Sequence, residues 1–235
     1  QAVSRGLGDV YKRQAIGYLK NQGMLNSDDQ ITATDVDEDL NVVVVRTKRE
    51  TNYEEKLSRK VRTSGCAVGT VYGDIMDGLE DIKLPFSKIK LSHLYSLSKK
   101  INLIPSLYLE AGAIHGTVLC KDDVPLVYME DVGRHNAVDK VAGWMHVNSE
   151  CSEDKILYTT GRLTSEMVIK TALMGIPILV SRSGFTAWGA DLAKDLGMTL
   201  IGRLRGKRFL CLSGRERLIW DVEVSQSEET TTTNI

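Results

Sequence analysis

The chain has 235 residues, 42% of them hydrophobic, and its 30 lysines and arginines face 31 acids for a formal net charge of −1. That balance excludes the protein-wide basic field of a nucleic-acid binder, so any anion site must be local. No apolar run is long enough to cross a membrane, no secretory h-region is seen, and Cys66, Cys120, Cys151 and Cys211 form neither a C-x-x-C pair nor a zinc-like spacing; reduced thiols and no metal site are expected.

Residues 1–14 (QAVSRGLGDVYKRQ) show neither helical nor strand periodicity and read as a non-native-looking leader outside the fold. Residues 15–24 read as a short helix end closed by Gly23, and Ser27-Asp28-Asp29 turns the chain. Residues 31–35 and 40–47, the second carrying four consecutive valines, read as a hairpin. The charged run 49–62 reads as a solvated linker or helix face. Then comes TSGCAVG, residues 63–69. Glycines on both sides of Cys66 leave its sulfur open and bring backbone N–H groups near it, which favours thiolate; the alternative is a linker with a bystander cysteine.

Leu84-Pro85 marks a boundary. Ile89, Leu94, Leu97 and Ile101 form a helical stripe, and Pro105 interrupts a second short helix. Residues 116–120 and 125–130 read as a second hairpin. His115 stands at its entry, either facing a cleft or satisfied structurally.

The sequence EDVGRHNAVDKVAGWM, residues 130–145, sets dense polar residues between a strand and a helix, where open α/β folds place ligands. Val138, Val141, Ala142 and Met145 share one helical face, and the helix begins near Arg134, so its positive end lies among the charged residues. The alternative is a capped, solvated helix start.

From residue 155 the pattern is regular. Strands at 156–160, 176–180 and 198–201 alternate with helices at 164–174 and 186–196 that end on Gly175 and Gly197. Short returns between β and α demand a parallel sheet. Arg162, Arg182 and the cluster Arg203-Leu204-Arg205-Gly206-Lys207-Arg208 all follow strands. The carboxyl ends of parallel strands share one edge, so these groups converge on a local anion pocket, or else form solvated surface basicity. Residues 209–212 and 218–224 read as further strands, and 225–235 as a disordered tail. The expected organisation is a leader (1–14), an N-terminal hairpin region with the cysteine loop (15–83), an α/β core (84–224) and the tail.

Four blocks in this order, TSGCAVG, EDVGRHNAVDKVAGW, the run from TTGRLTSEM to LGMTLIG, and RLRGKR, resemble the formate dehydrogenase accessory sulfurtransferase family, FdhD. The resemblance covers about residues 15–224. It implies a cytoplasmic homodimer with a three-layer α/β/α, cytidine-deaminase-like mixed sheet whose C-terminal half is parallel. It implies a carrier that takes persulfide sulfur from a cysteine desulfurase on Cys66. The sulfur passes to the bis-guanine-dinucleotide molybdenum cofactor, bound as substrate, for a molybdenum-dependent formate dehydrogenase. Cofactor contacts fall on Arg203, Leu204, Arg205, Gly206, Lys207 and Arg208, with Arg182, Arg134 and His135. Neither nucleic acid nor membrane is an expected partner.

The chain departs from the family in three places. Gly69 stands where many members carry a second cysteine, Arg203 stands where an aromatic residue is usual, and the strands that precede the segment at Ala15 are not recognisable. The missing thiol keeps open a non-catalytic cofactor chaperone. Deaminase chemistry is not expected: His115 is followed by Gly-Thr, not by an H-x-E glutamate, and no P-C-x-x-C exists. A phosphate-loop enzyme is disfavoured by the lack of G-x-x-x-x-G-K-[ST].

Overall fold

The structure, a computed structural model, describes residues 2–26, 28–50, 60–61, 71–72, 78–104, 106–107, 110, 112 and 114–222. Cys66, Gly69, Pro105 and the 225–235 tail lie outside them. The chain opens with helix α1 (Ala2–Asn21), the hairpin β1 (Ile31–Asp37) and β2 (Val42–Thr47), and a short antiparallel pair, β3 (Lys60–Val61) and β4 (Val71–Tyr72). Next come β5 (Ile89–Lys90), α2 (Leu91–Ile101), the hairpin β6 (His115–Lys121) and β7 (Val124–Asp131), and α3 (Arg134–Val147). The remainder is β8 (Lys155–Thr159), α4 (Ser165–Leu173), β9 (Ile178–Ser181), α5 (Ala187–Asp195), β10 (Thr199–Arg205), β11 (Arg208–Ser213) and β12 (Leu218–Ile219).

Six strands form one mixed sheet in the order β11-β10-β9-β8-β6-β7. The strands β8, β9 and β10 are parallel; β6 and β7 on one flank and β11 on the other pair antiparallel. The inner strands are continuous apolar runs because both faces are buried. Leu119, Leu157, Leu179 and Leu200 point into a core with Val138, Val141, Met167, Ile169 and Ala193 of the helices α3, α4 and α5. Their neighbours Val118, Ile156, Tyr158, Ile178, Val180 and Ile201 pack on Leu91, Leu94, Leu97 and Ile101 of α2. Helices thus cover both faces of the sheet. The returns after α4 and α5 turn at Gly175 (φ 73°) and Gly197 (φ 63°), a left-handed conformation that costs little without a Cβ.

Where the sequence shows no periodicity, residues 2–14 are helical and run straight into 15–21 as α1. The signal was weak because α1 meets α3 through backbone rather than through an apolar stripe. A Cβ on Gly17 would lie 1.8 Å from the Asp139 carbonyl oxygen, and one on Gly143 would lie 1.8 Å from that of Arg13. Nor does residue 84 separate two cores, since Met24 and Leu79 belong to the cluster under α3 and α4. Gly17→Ala should force the helices apart and lower stability by about 1–3 kcal/mol, the range for overpacking; a urea midpoint unchanged from wild type would refute the contact.

The topology puts several loops at one edge. β6 runs antiparallel to β8, so its first residue, His115, lies where β8 ends, and β7 returns to the same edge to start α3. Gly116 N–H donates to Thr160 Oγ1 at 3.0 Å and Thr160 N–H donates back to Gly116 O at 2.9 Å. Leu163 and Phe185, in the loops after β8 and β9, pair as a parallel bridge.

Candidate functional site

Along this edge stand His115, Arg134, His135, Arg162, Arg182, Arg203, Arg205 and Arg208. They form a basic belt with an outer half and a recessed half.

The outer half is a cavity of about 470 Å³ lined by Arg182, Ser183, Gly184, Arg203, Arg205, Arg208, Phe209 and Leu210. The cluster read as a loop after a strand is a hairpin end: Arg203 and Arg205 close β10, Gly206 and Lys207 turn, and Arg208 opens β11. The pairing register shifts between Gly202 and Arg205, and Arg203 adopts φ 54° while its N–H donates to Ser183 O at 2.9 Å. A register shift of this kind re-aims side chains. Arg203 and Arg205 are exposed, whereas Leu204 between them is buried in the α2-side core. Alternation along the strand turns the Leu204 side chain inward, away from the cavity lining. Gly206 and Lys207 sit at the turn beyond the cavity lining. Arg182 Nη1 donates to Asn102 Oδ1 at 3.2 Å at the end of α2. Four guanidinium forks around one cavity suit phosphate oxygens.

The recessed half is built on α3, α4 and the loop after β8. The Arg134 stem lies on Gly161, where an added Cβ would sit 2.9 Å from Arg134 Cβ. His135 Nε2 is 3.3 Å from Glu166 Oε2, and these side chains are only 15% and 4% exposed. One turn further along both helices, Lys170 Nζ donates to Asp139 at 3.0 and 2.8 Å, and Asn21 Nδ2 donates to the same carboxylate at 2.7 Å. The two helices thus carry a buried two-rung ladder, His135–Glu166 above Asp139–Lys170. Burial, then Lys170, Arg134 and His115, push the His135 imidazole down to about 3. Burial, then Arg134 and Arg162, also lower His115.

The two halves are tied together. Ser181 Oγ donates to Gly161 O at 2.6 Å, Ser183 N–H donates to Ser181 Oγ at 2.9 Å, and Leu163 N–H donates to Gly184 O at 2.9 Å.

Most of the density in EDVGRHNAVDK is structural. Asp131 accepts from Gly133 N–H (2.8 Å), Asn136 Nδ2 (3.1 Å) and Lys140 Nζ (2.7 Å), fixing the start of α3. Glu130 accepts from Tyr128 Oη (3.0 Å) and Leu107 N–H (3.0 Å). Only Arg134 and His135 belong to the belt. Sequence reasoning left out Glu166 and Lys170, although their four-residue spacing matches that of His135 and Asp139 on the facing helix.

A histidine held neutral by its surroundings binds fewer protons folded than unfolded, so stability is present above the ordinary imidazole range and lost as pH falls through it. For His135 the window runs from pH 6.5 down toward 3. His135→Gln should flatten the fall of Tm across that window; a Tm profile parallel to wild type would refute the burial of a neutral ring.

Among the described residues no three metal-ligating side chains converge, and no helix is long and apolar enough to cross a membrane. Among the other thiols, Cys120 is buried and pushed strongly up by burial, and Cys211 is raised to about 11 by burial despite Arg215 nearby. Cys151 is exposed, on the loop that enters β8.

Residues 4–219 match the model of the FdhD/NarQ family. A sulfur carrier protein FdhD from Wolinella succinogenes is 32% identical over 197 residues, 83% of this chain and 68% of that one. The sulfur carrier protein FdhD of Bacillus subtilis is 29% identical over 206 residues, 86% of this chain and 78% of that one. A crystal structure from Desulfotalea psychrophila, described as a formate dehydrogenase accessory protein, superposes with a TM-score of 0.72 at 28% identity, covering 89% of this chain and 80% of that one.

Proposed function

The chain belongs to the FdhD/NarQ family, and on that premise we propose that it is a sulfur carrier in the maturation of a molybdenum-dependent formate dehydrogenase. The observation that carries this reading is the outer cavity, where Arg182, Arg203, Arg205 and Arg208 meet on a chain with a net charge of −1. Such a site selects a multiply charged anion. The diphosphates of the bis-guanine-dinucleotide molybdenum cofactor, bound as substrate, have that chemistry, and the guanidinium forks would hold them bidentately.

Cys66 is the acceptor in this reading. Its thiolate attacks the terminal sulfur of a persulfide on a cysteine desulfurase; the donor S–S bond breaks, the donor cysteine leaves as thiolate, and Cys66 holds the persulfide. Two-electron pairs move but nothing is oxidised overall. The carrier then presents that sulfur to the bound cofactor as a cytoplasmic homodimer that serves the formate dehydrogenase. Arg134 and His135 bind at the recessed end of the belt.

Gly69 favours a second reading. Without a partner thiol in the loop, the protein would bind the cofactor and hand it on without carrying sulfur. Intact-mass analysis after incubation with a cysteine desulfurase and cysteine decides between them. A gain of one sulfur mapped to Cys66 supports the carrier; nucleotide binding with no gain under any donor supports the chaperone.

A further inference from the structure

We propose that the recessed half of the belt is a second anion subsite, distinct from the arginine cavity, that takes one tetrahedral oxyanion of the phosphate class beside His115 and Arg162. The proposal rests on the reading that the outer cavity holds the nucleotide end of the ligand.

Several donors here have no partner among the described residues. His115 Nδ1 is buried and makes no hydrogen bond among the described residues. Thr164 and Ser165, at the start of α4 and 1% and 0% exposed, have hydroxyls with no partner there either. Thr164 is the N-cap of α4, yet its side chain makes no capping bond. Thr186 at the same place on α5 does, accepting from Gly189 N–H at 3.1 Å. Buried polar groups are nearly always satisfied, so a cluster of unmade bonds at a helix N-terminus marks a place for a missing acceptor.

The field selects the sign of the ligand. Arg134 and Arg162 act on His115, and Lys170, Arg134 and His115 act on His135. Two acids oppose this set: Glu166 faces His135 and Asp139 pairs with Lys170, which leaves Arg134 and Arg162 as the surplus charge. A cation is repelled by this set, and an anion is drawn in. Little room is left here: the Arg134 stem lies against Gly161, and Arg162 next to it is exposed. Between this place and the cavity of about 470 Å³ run the paired Leu163 and Phe185. One oxyanion fits that division better than a second nucleotide.

The test follows the imidazole NMR signals of the full chain, assigned with His115→Gln and His135→Gln among the four histidines. Inorganic sulfate is the first probe, since it does not titrate near neutrality. It should move the His115 ring signals and raise that ring's pKa while His93 and His146 stay put. Arg162→Ala should weaken the response about tenfold. Arg205→Ala/Arg208→Ala should keep the sulfate response and weaken GDP binding at least tenfold. Sulfate displaced by GDP identifies the oxyanion as a phosphate of the nucleotide itself; sulfate and GDP bound together identify a free oxyanion. The proposal is overturned if sulfate leaves His115 unmoved, if Arg162→Ala responds like wild type, or if the response disappears with Arg205 and Arg208. Should GDP fail to bind wild type while sulfate still moves His115, the nucleotide reading fails and the subsite stands.

Discussion

Cys66→Ala should abolish sulfur loading and leave nucleotide binding within about twofold of wild type. The two halves of this result come from different parts of the chain. Loading needs a thiolate that can be approached. Cys120 is shut in the sheet, and burial keeps its thiol protonated at neutral pH. Cys211, raised to about 11, is protonated there too. In the sequence Cys66 stands between glycines among small residues, a pattern expected to let backbone N–H groups stabilise the charge. Nucleotide binding, as proposed, would draw instead on guanidinium groups around the end of β10, where Arg203 N–H donates to Ser183 O. Cys151 is the necessary control. It is exposed, and Lys155 Nζ lies 3.5 Å from its sulfur, so it can react without being the carrier. Loading is measured by intact mass and peptide mapping, and GDP affinity by calorimetry at fixed salt. Full loading of Cys66→Ala, or loading that disappears only with Cys151→Ala, would sink the assignment. Loss of GDP binding in Cys66→Ala would show that the two functions are not separable.

The parts of the fold that were legible in the sequence are those where one local rule decides. Fully buried parallel strands must be apolar on both faces, and helices returning tightly to a sheet need a left-handed residue at the turn. Hence the β8–α4–β9–α5–β10 unit, with Gly175 and Gly197, could be drawn from the chain alone. The outer arginine cavity followed from that topology. Leu204 did not, because strand alternation separates neighbours in a motif that looks like one patch. Helix α1 was obscured because its contact with α3 is made at glycine backbone, which leaves no hydrophobic period to read. The ladder between α3 and α4 was obscured for another reason. Asp139 and Lys170 are 31 residues apart and each looks like a surface charge; only their pairing makes burial tolerable.

That pairing gives the largest stability effect expected in the described fold. Asp139 and Lys170 are each 1% exposed, and the carboxylate is shared with Asn21 of α1, while Lys170 Nζ lies 5.9 Å from the Tyr18 ring centroid. Asp139→Ala leaves an ammonium buried without its counterion, and should cost about 3–5 kcal/mol. Lys170→Met should cost less. Burial pushes the Asp139 carboxyl upward against the pull of Lys170, so without the lysine it can take up a proton and become neutral. The double variant Asp139→Asn/Lys170→Met removes both charges and keeps a partner for Asn21; it should recover most of the loss. A double-mutant cycle built on Asp139→Asn, read by urea unfolding, should therefore show a coupling of about 2 kcal/mol or more. Additive losses would mean that the ladder is not a unit. The same double variant bears on the belt. After burial itself, Lys170 is the charge that does most to hold His135 down. Removing it while the fold survives should raise the His135 pKa from about 3 toward the ordinary imidazole range, seen as a shifted NMR titration of that ring. Stability and titration then separate two roles of one lysine. If the double variant is stable and His135 titrates as before, Lys170 serves packing alone and the neutral imidazole at the recessed end of the belt is set by burial and Arg134.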